Sequence, residues 1–282
     1  MPPGLGLGLG LNLGSGGGVG SPYSAEAQAY FSRVGMAKVA NPVFAAALID
    51  NIVGMGLYSN CLLYADISTG METRVAGADT FITKIYDMSV KANDVLNTTE
   101  TQQPKLTATG GIFDGSNDLL SCAGSDVAFP VTKKLTLFSW VNFTNTGLTY
   151  PRILACEGKW SIVGDGTTGK IRWLGTGLDT SLGTVDSRNT NVFVAITYDG
   201  DVGSININLY VNGGLTPDGY SKITGGGNLT AVGTTPVTIG NRAVGDRQLA
   251  GIVNHCGIFN AVLTPAQLKS IFDLTKSTYG VA

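Results

Sequence analysis

Acidic side chains set the first limit on the chemistry open to this chain. Retaining hydrolysis of a glycosidic bond needs two carboxyl groups close together, one as nucleophile and one as proton donor. The only glutamates are Glu26, Glu72, Glu100 and Glu157, and residues 158–282 contain none. A hydrolase would have to use aspartates alone, so we predict a protein that binds rather than one that catalyses.

The single histidine, His255, cannot build a multi-histidine metal site. Cys256 follows it directly, but neighbouring residues of a strand point to opposite faces, so the two would not share a nucleophilic site. We expect His255 to be packed or hydrogen-bonded within a strand. The cysteines Cys61, Cys122, Cys156 and Cys256 are far apart. Reduced, buried thiols are therefore expected, with one disulfide left open.

Aspartates in turns are candidates for calcium, which prefers hard oxygen ligands. The best group is Asp199 and Asp201 with the carbonyls of their turn, followed by Asp114 and Asp118. Aspartate before glycine also serves turn geometry alone, and this alternative is the stronger one. We predict no obligatory cofactor and keep calcium as an option.

Glycan binding would require an exposed aromatic ring beside amide and hydroxyl groups. Tyr210, Asn206 and Asn208 lie on the non-core face of one predicted strand and fulfil this requirement. The alternative is that this face is covered by another layer or by a second subunit.

The overall composition excludes several classes of partner. Charged residues make up 13% of the chain and the formal charge is −2, without a basic stripe, so a nucleic acid is not expected. The longest apolar stretch, residues 42–58, is interrupted by Asp50 and Asn51, so we expect no membrane insertion. The first basic residue is Arg33, and we expect no secretory signal.

The N-terminal part divides into two predicted regions. Residues 1–20 form a Gly/Leu-rich leader whose leucines share one side of an extended chain and suit docking on another surface: Leu5, Leu7, Leu9, Leu11 and Leu13. Residues 21–104 are predicted as a helical anchoring region, with helices starting at Ser21-Pro22 and Asn41-Pro42. The second helix is apolar over most of its circumference, including Phe44, Leu48 and Ile52. It either packs under the rest of the chain or contacts other subunits, and we favour the subunit contact in a homo-oligomer.

Residues 105–282 carry the signals of an antiparallel β-sandwich. Residues 204–211 alternate apolar and polar before the turn residues Asn212-Gly213, while residues 135–143 are apolar on both faces, as in a strand covered on each side. Thr264 to Gln267 is a capping box that predicts a final helix. Because these signals are internal, residues 105–282 are expected to fold alone.

These residues in this order resemble the laminin G-like, concanavalin A-type jelly-roll family. Four segments carry the resemblance: 113–120, 135–143, 192–213, and 237–242 followed by 249–274. The resemblance implies a mainly β jelly roll that often binds calcium through loops. Members that are glucanases use a Glu-x-Asp-x-x-Glu pattern, which is absent here. The family commonly has an Asp-Glu pair where this chain has Asn254 and His255, which removes any role for those carboxylates.

The leader and the two helical segments before such a domain are similar to structural proteins of tailed bacteriophages. This implies a virion protein, a capsid decoration or a tail-associated fibre, that assembles with other virion proteins in the host cytoplasm. The alternative is a carbohydrate-recognition module that contacts the host surface, with or without calcium.

Overall fold

The computed structural model describes residues 21–125, 128–130, 133–144, 149–175, 178–181, 183–184, 186–201, 204–224, 229 and 232–280. The five leader leucines, predicted as assembly residues, lie outside this range. Three α-helices are described: α1 (Ala25–Val34), α2 (Pro42–Gly54) and α3 (Pro265–Tyr279). Short 3₁₀ turns occupy Met36–Lys38, Tyr58–Asn60 and Glu100–Gln102.

Seventeen strands complete the described secondary structure. They are β1 (Cys61–Asp66), β2 (Met71–Ala76), β3 (Asp79–Ile85), β4 (Val95–Leu96), β5 (Lys105–Thr107), β6 (Gly110–Asp114), β7 (Leu120–Cys122), β8 (Lys134–Phe143), β9 (Arg152–Cys156), β10 (Trp160–Gly164), β11 (Ile171–Gly175), β12 (Leu178–Ser181), β13 (Val192–Asp199), β14 (Ser204–Val211), β15 (Gly219–Thr224), β16 (Val237–Ile239) and β17 (Ala250–Phe259).

The strands form two antiparallel sheets that face each other. In the back sheet the order is β15-β14-β13-β8-β17, and both β1 and β6 pair with the far edge of β17. In the front sheet the order is β4-β7-β16-β9-β10-β11-β12. Strands β3 and β5 connect the two sheets, and β2 pairs with β3. The predicted mainly β jelly-roll fold is therefore confirmed.

Two hydrophobic cores lie on opposite faces of the back sheet. The inner core fills the space between the sheets and includes Leu137 of β8 and Trp173 of β11. The outer core lies between the back sheet and the helices, and includes Phe138 and Trp140 of β8. Because alternate residues of β8 enter different cores, the predicted strand covered on both faces is confirmed. The chain thus has three layers: helices, back sheet and front sheet.

Side-chain caps fix the N-terminal ends of the helices. The Asn41 side chain accepts a hydrogen bond from the Phe44 N–H at the start of α2, as predicted. At α3 both bonds of the predicted capping box are present, between Thr264 and Gln267. The first helix differs from expectation, because its N-cap is Ser24 rather than Ser21.

Helix α2 packs on its own chain rather than presenting its apolar face to a partner. Leu48 and Ile52 are 0% exposed and belong to the outer core, while Phe44 is half-buried against it. Fully buried side chains cannot contact a second subunit, so the assignment of Leu48 and Ile52 as assembly residues is wrong. The alternative, packing under the β domain, is the one observed. Among the large apolar side chains of α2, Val43 is exposed.

The β structure begins earlier than the predicted boundary at residue 105. Strand β1 pairs along its length with β17, and its residues Cys61 to Ala65 are buried in the two cores. Strands β2, β3 and β4 also precede residue 105. The segment 21–104 is therefore not only helical, because it supplies strands to the sandwich. Cys61–Asp66 is buried at every position, so it shows none of the alternation that reveals a half-buried strand.

The turn directly after β14 is tight, but the connection from β14 to β15 is long. Asn212 and Gly213 both have positive φ, and the Gly214 N–H donates to the Val211 carbonyl. Strand β15 starts only at Gly219, so Asn212-Gly213 opens a longer loop instead of closing a two-residue hairpin. Within the residues that the structure describes, no helix is both long and apolar enough to cross a membrane.

Candidate functional site

Tyr210, the aromatic residue predicted to stack on a glycan, lies under the helical layer. It is on the outer face of β14, as the alternation predicts, but it is only 6% exposed and belongs to the outer core. Burial also raises the pKa of its hydroxyl. A buried ring offers no face to a sugar, so the assignment of Tyr210 to a glycan site is wrong. The sequence placed the residue on the correct face but did not show that another layer covers it.

The same face of the sheet is open farther along β14. Asn206 and Asn208 are half-buried there, and Asn208 lies between Thr197 of β13 and Tyr220 of β15 in the strand register. The Asn208 Nδ2 donates to Thr197 Oγ1 at 3.5 Å, and the Tyr220 hydroxyl donates to Asn206 Oδ1 at 3.4 Å. We call Thr197, Asn206, Asn208 and Tyr220 the polar face.

Tyr220 is the residue that sequence reasoning missed. It is 57% exposed, although it is a large aromatic residue. An exposed aromatic ring beside two amides presents an apolar surface and hydrogen-bonding groups together. The sequence predicts this arrangement at Tyr210 instead. Part of the signal is in the sequence, because Asp218-Gly219 marks a turn just before Tyr220. To predict that Tyr220 lies opposite Asn208, one must also know the length of the loop between β14 and β15.

Asp199 and Asp201 lie next to the polar face but are occupied by other contacts. Asp199 is opposite Asn206, and its Oδ1 accepts the Asp201 N–H at 3.0 Å. The Asp201 carboxylate lies 3.6 Å from Lys133 Nζ and 3.3 Å from Lys134 Nζ. Both ammonium groups thus lie at the Asp201 carboxylate. A calcium ion bound by Asp201 would have to displace these lysines.

Asp114 and Asp118 shape a turn in the way that the alternative reading of Asp-Gly sequences predicts. Asp114 Oδ1 accepts the Ser116 N–H at 2.7 Å, and Asp118 Oδ2 accepts the Asp114 N–H at 2.9 Å. Burial raises the pKa of Asp118 to about 6, and the neighbouring charge of Asp114 acts in the same direction. Among the residues described, no three acidic, histidine or cysteine side chains are arranged to hold a metal ion. Calcium binding stays a prediction.

His255 lies in a buried polar cluster at the end of β1. Its Nδ1 is 3.4 Å from Asp66 Oδ2, and its ring makes edge contacts with Tyr64 and Phe138. The Tyr279 hydroxyl donates to the same Asp66 oxygen. Burial lowers the pKa of His255 to about 4, with the Asp66 charge opposing this shift. The imidazole is thus neutral at pH 7, packed within a strand as expected.

Cys256 belongs to the inner core, on the opposite face from His255, so the two do not share a site. All the cysteines, Cys61, Cys122, Cys156 and Cys256, are buried and free. Burial raises the pKa of the Cys122, Cys156 and Cys256 thiols to about 12. Such thiols are almost entirely protonated at neutral pH, which removes them as nucleophiles.

Comparison with known protein families identifies the sandwich. The family described as the concanavalin A-like lectin/glucanases superfamily (Laminin_G_3) matches residues 114–269, which is more than half of the chain. The chain belongs to this superfamily. No curated protein sequence matched the chain in a separate comparison.

Several solved structures share the architecture of this chain at low sequence identity. Trypanosoma rangeli sialidase superposes with a TM-score of 0.53 at 14% identity over 79% of this chain and 34% of the sialidase. The same sialidase in complex with sialic acid gives a TM-score of 0.53 at 16% identity, with the same coverage. The ligand binding domain of Botulinum neurotoxin serotype D, in complex with N-acetylneuraminic acid, gives 0.53 at 13% identity over 78% of this chain and 52% of that one. The chain spans about a third of the sialidase length, and the likeness concerns the fold alone.

Proposed function

We propose that the chain is a carbohydrate-recognition module and that its polar face contacts the glycan. The observation that carries this proposal is the exposed ring of Tyr220 beside the Asn206 and Asn208 amides. A sugar presents C–H groups on one side and hydroxyl groups at its rim. The ring would cover the first, and the amides would bond the second.

Charge around the polar face favours a neutral sugar. In the ion pairs described beside this face, Lys133 and Lys134 offset the charges of Asp199 and Asp201, so these four residues add no net charge. The neighbours solved with sialic acids bind an acidic sugar. For this chain we propose a neutral hexose as the main contact, and an acidic sugar is the alternative to test.

A glycan array tests the site. Tyr220→Ala should weaken binding about tenfold, because about 1.4 kcal/mol corresponds to the loss of one aromatic contact. Tyr220→Phe should bind nearly as well as the parent, since it keeps the ring. Val244→Ala, which removes an exposed apolar side chain elsewhere, is the control and should leave binding unchanged. Equal binding by Tyr220→Ala and the parent would contradict the proposed site.

Binding rather than turnover is part of the proposal. It is supported by the pattern of glutamates and by thiols with raised pKa values. Incubation with the best glycan from the array, followed by an assay for released sugar, should detect none. Release that disappears with one Asp→Asn substitution would place the chain among the enzymes.

A virion location, as capsid decoration or tail-associated fibre, completes the proposal. Its support is the resemblance of the N-terminal segments to structural proteins of tailed phages. The chain should be detected by mass spectrometry in purified particles and should form a homo-oligomer by light scattering. Contact between copies would use the leader and the exposed side of α2 around Val43 and Phe44. Deletion of residues 1–20 should lower incorporation into particles, and unchanged incorporation would contradict an anchoring role.

A further inference from the structure

Strand β17 changes its neighbour at Asn254. Ala250 to Val253 pair with β6, whereas the pairing from His255 onward is with β1. On the other edge, the register against β8 shifts between Val253 and His255, so Asn254 is the extra residue of a β-bulge. A bulge redirects a side chain away from the regular alternation. The backbone stays bonded, since the Asn254 carbonyl accepts the Ile67 N–H at 3.0 Å.

A cavity of about 280 Å³ opens at this point, where the end of β1, the start of β6 and the C-terminal end of α3 meet. We call it the seam cavity. Its polar lining includes Ser68, Thr109, Asn254 and Tyr279. Met71 and Leu106 form an apolar wall, and the same two residues also line a separate open groove of about 560 Å³ together with Lys38 and Glu72. The volume of the seam cavity suits one sugar ring.

The buried amide of Asn254 lacks a protein partner for its oxygen. Asn254 is 4% exposed, and its Oδ1 makes no hydrogen bond among the described residues. The oxygen lies against Gly110, where a Cβ would approach it to 1.7 Å; the φ of +134° at this position also favours glycine. An unpaired buried oxygen costs about 1–3 kcal/mol. Gly110 thus makes room for the Asn254 Oδ1 atom, and no donor among the described residues bonds to this atom.

Two hydroxyl groups in the cavity point their protons elsewhere. Ser68 Oγ donates to Asp66 Oδ1 at 2.6 Å, and the Tyr279 hydroxyl donates to Asp66 Oδ2. The two oxygens lie 3.3 Å from each other, and the lone pairs that they do not use between themselves remain as acceptors. Asp66 itself also accepts the Ser68 N–H at 2.8 Å, so both of its oxygens are bonded to donors of the chain. The cavity therefore offers hydroxyl oxygens as acceptors, while the Asp66 oxygens are already in use.

We propose that the seam cavity binds a small neutral polyol, such as one hexose unit of a glycan. Hydroxyl groups of the ligand donate to Asn254 Oδ1, Ser68 Oγ and the Tyr279 oxygen, and its C–H groups pack on Met71 and Leu106. A small ammonium ion fits less well, because the Asp66 carboxylate is already bonded. This is a second site, separate from the polar face, since β8 and β13 lie between β17 and β14.

Protein-detected NMR on the full chain tests the proposal with free galactose, glucose, mannose and glycerol as probes, and ethanolamine as the cationic probe. Each is added up to about 50 mM, since single-sugar affinities in the millimolar range are expected. At least one hexose should shift the amide resonances of Ser68, Thr109, Gly110 and Asn254. Asn254→Leu should weaken that binding at least fivefold. Ser68→Ala, at a half-buried position, provides a second variant if Asn254→Leu does not fold.

Asn208→Leu is the matched control, because it makes the same substitution on the polar face. It should leave binding at the seam cavity unchanged, which separates failure of this proposal from failure of the proposed glycan face. If no probe shifts the resonances around Asn254, the proposal is overturned. It is also overturned if only ethanolamine shifts them, or if Asn208→Leu abolishes the shifts and Asn254→Leu does not.

Discussion

Protonation of His255 should make the stability of this protein depend on pH in a defined window. Burial lowers the pKa of His255 to about 4 from an ordinary value of 6.5. Between these two values the unfolded chain binds a proton at this residue and the folded chain does not. Stability from this group is therefore fully present above pH 6.5 and is lost as the pH falls toward 4.

The size of the effect follows from the two pKa values. From pH 7 to pH 5 the difference in proton binding lowers the free energy of unfolding by about 2 kcal/mol, and the full loss below pH 4 is about 3 kcal/mol. The physical cause is the surroundings of the ring, which is fully buried between Tyr64 and Phe138. Asp66, at 3.4 Å, offsets part of the penalty of the charged form.

NMR can follow this titration directly, because His255 is the single histidine of the chain. Its imidazole resonance should stay constant from pH 7 to pH 5.5 and shift only near pH 4. The loss of stability between pH 7 and pH 5, measured by urea unfolding, should be about 2 kcal/mol larger for the parent than for His255→Gln. His255→Gln should also lower stability at pH 7, because it alters a packed site.

Asp118 changes the pH dependence of stability in the opposite direction, so its contribution must be separated from that of His255. Its pKa is raised to about 6, so the folded chain binds more protons than the unfolded chain between about pH 4 and 6, and this contribution to stability falls as the pH rises. Asp118→Asn removes that contribution and should make the loss of stability on acidification steeper. A histidine resonance that titrates near pH 6.5 in the folded chain would refute the reasoning, as would equal pH dependence in the parent and His255→Gln.

Three further outcomes follow from the packing. A chain that starts at Lys105 should fail to fold by circular dichroism, because it lacks β1 and helices α1 and α2, whose side chains complete the outer core. Burial of each large apolar side chain contributes about 1.5–3 kcal/mol. A cooperative unfolding transition in this chain would contradict the layer arrangement. Thr275→Val should lower the free energy of unfolding, measured in urea, by about 1–3 kcal/mol, because it leaves the indole N–H of Trp140 buried without a partner. In the parent this N–H donates to Thr275 Oγ1 at 2.7 Å. Thr275→Ser keeps the hydroxyl and is the control, and equal stability of Thr275→Val and the parent would contradict this prediction. The four thiols should react with a disulfide reagent only after denaturation, and rapid labelling of the native chain would contradict their burial.

The sequence predicts those elements that depend on a few neighbouring residues. The capping box at Thr264 begins α3, and the two apolar faces of residues 135–143 identify β8. Strand β1 escaped prediction because all of its residues are buried, which leaves no alternation to detect. The start of α1 was misplaced by three residues because Ser21-Pro22 and Ser24 both fit a helix start.

The candidate site shows the limit of reasoning from one strand. Alternation along β14 correctly assigned Asn206, Asn208 and Tyr210 to the outer face. Whether a residue on that face meets solvent depends on the helices, which are distant in sequence. The pairing of Tyr220 with Asn208 depends on the register of β15. Both are tertiary facts, so the sequence identified the face but not the residues that are open on it.

The helical layer also explains the positions of the two proposed sites, the polar face and the seam cavity. Helices α1, α2 and α3 shield the aromatic residues of the back sheet, and a shielded ring such as Tyr210 cannot meet a ligand. Among the described residues, a ligand can reach the outer face of this sheet where the helical layer ends. It ends at the β14-β15 edge, which exposes Tyr220, and at the C-terminus of α3, where Tyr279 borders the seam cavity. Because different elements build the two sites, substitution of Asn208 should weaken binding at the polar face alone, and substitution of Asn254 should weaken binding at the seam cavity alone. In a double variant, the losses of binding free energy at the two sites should add.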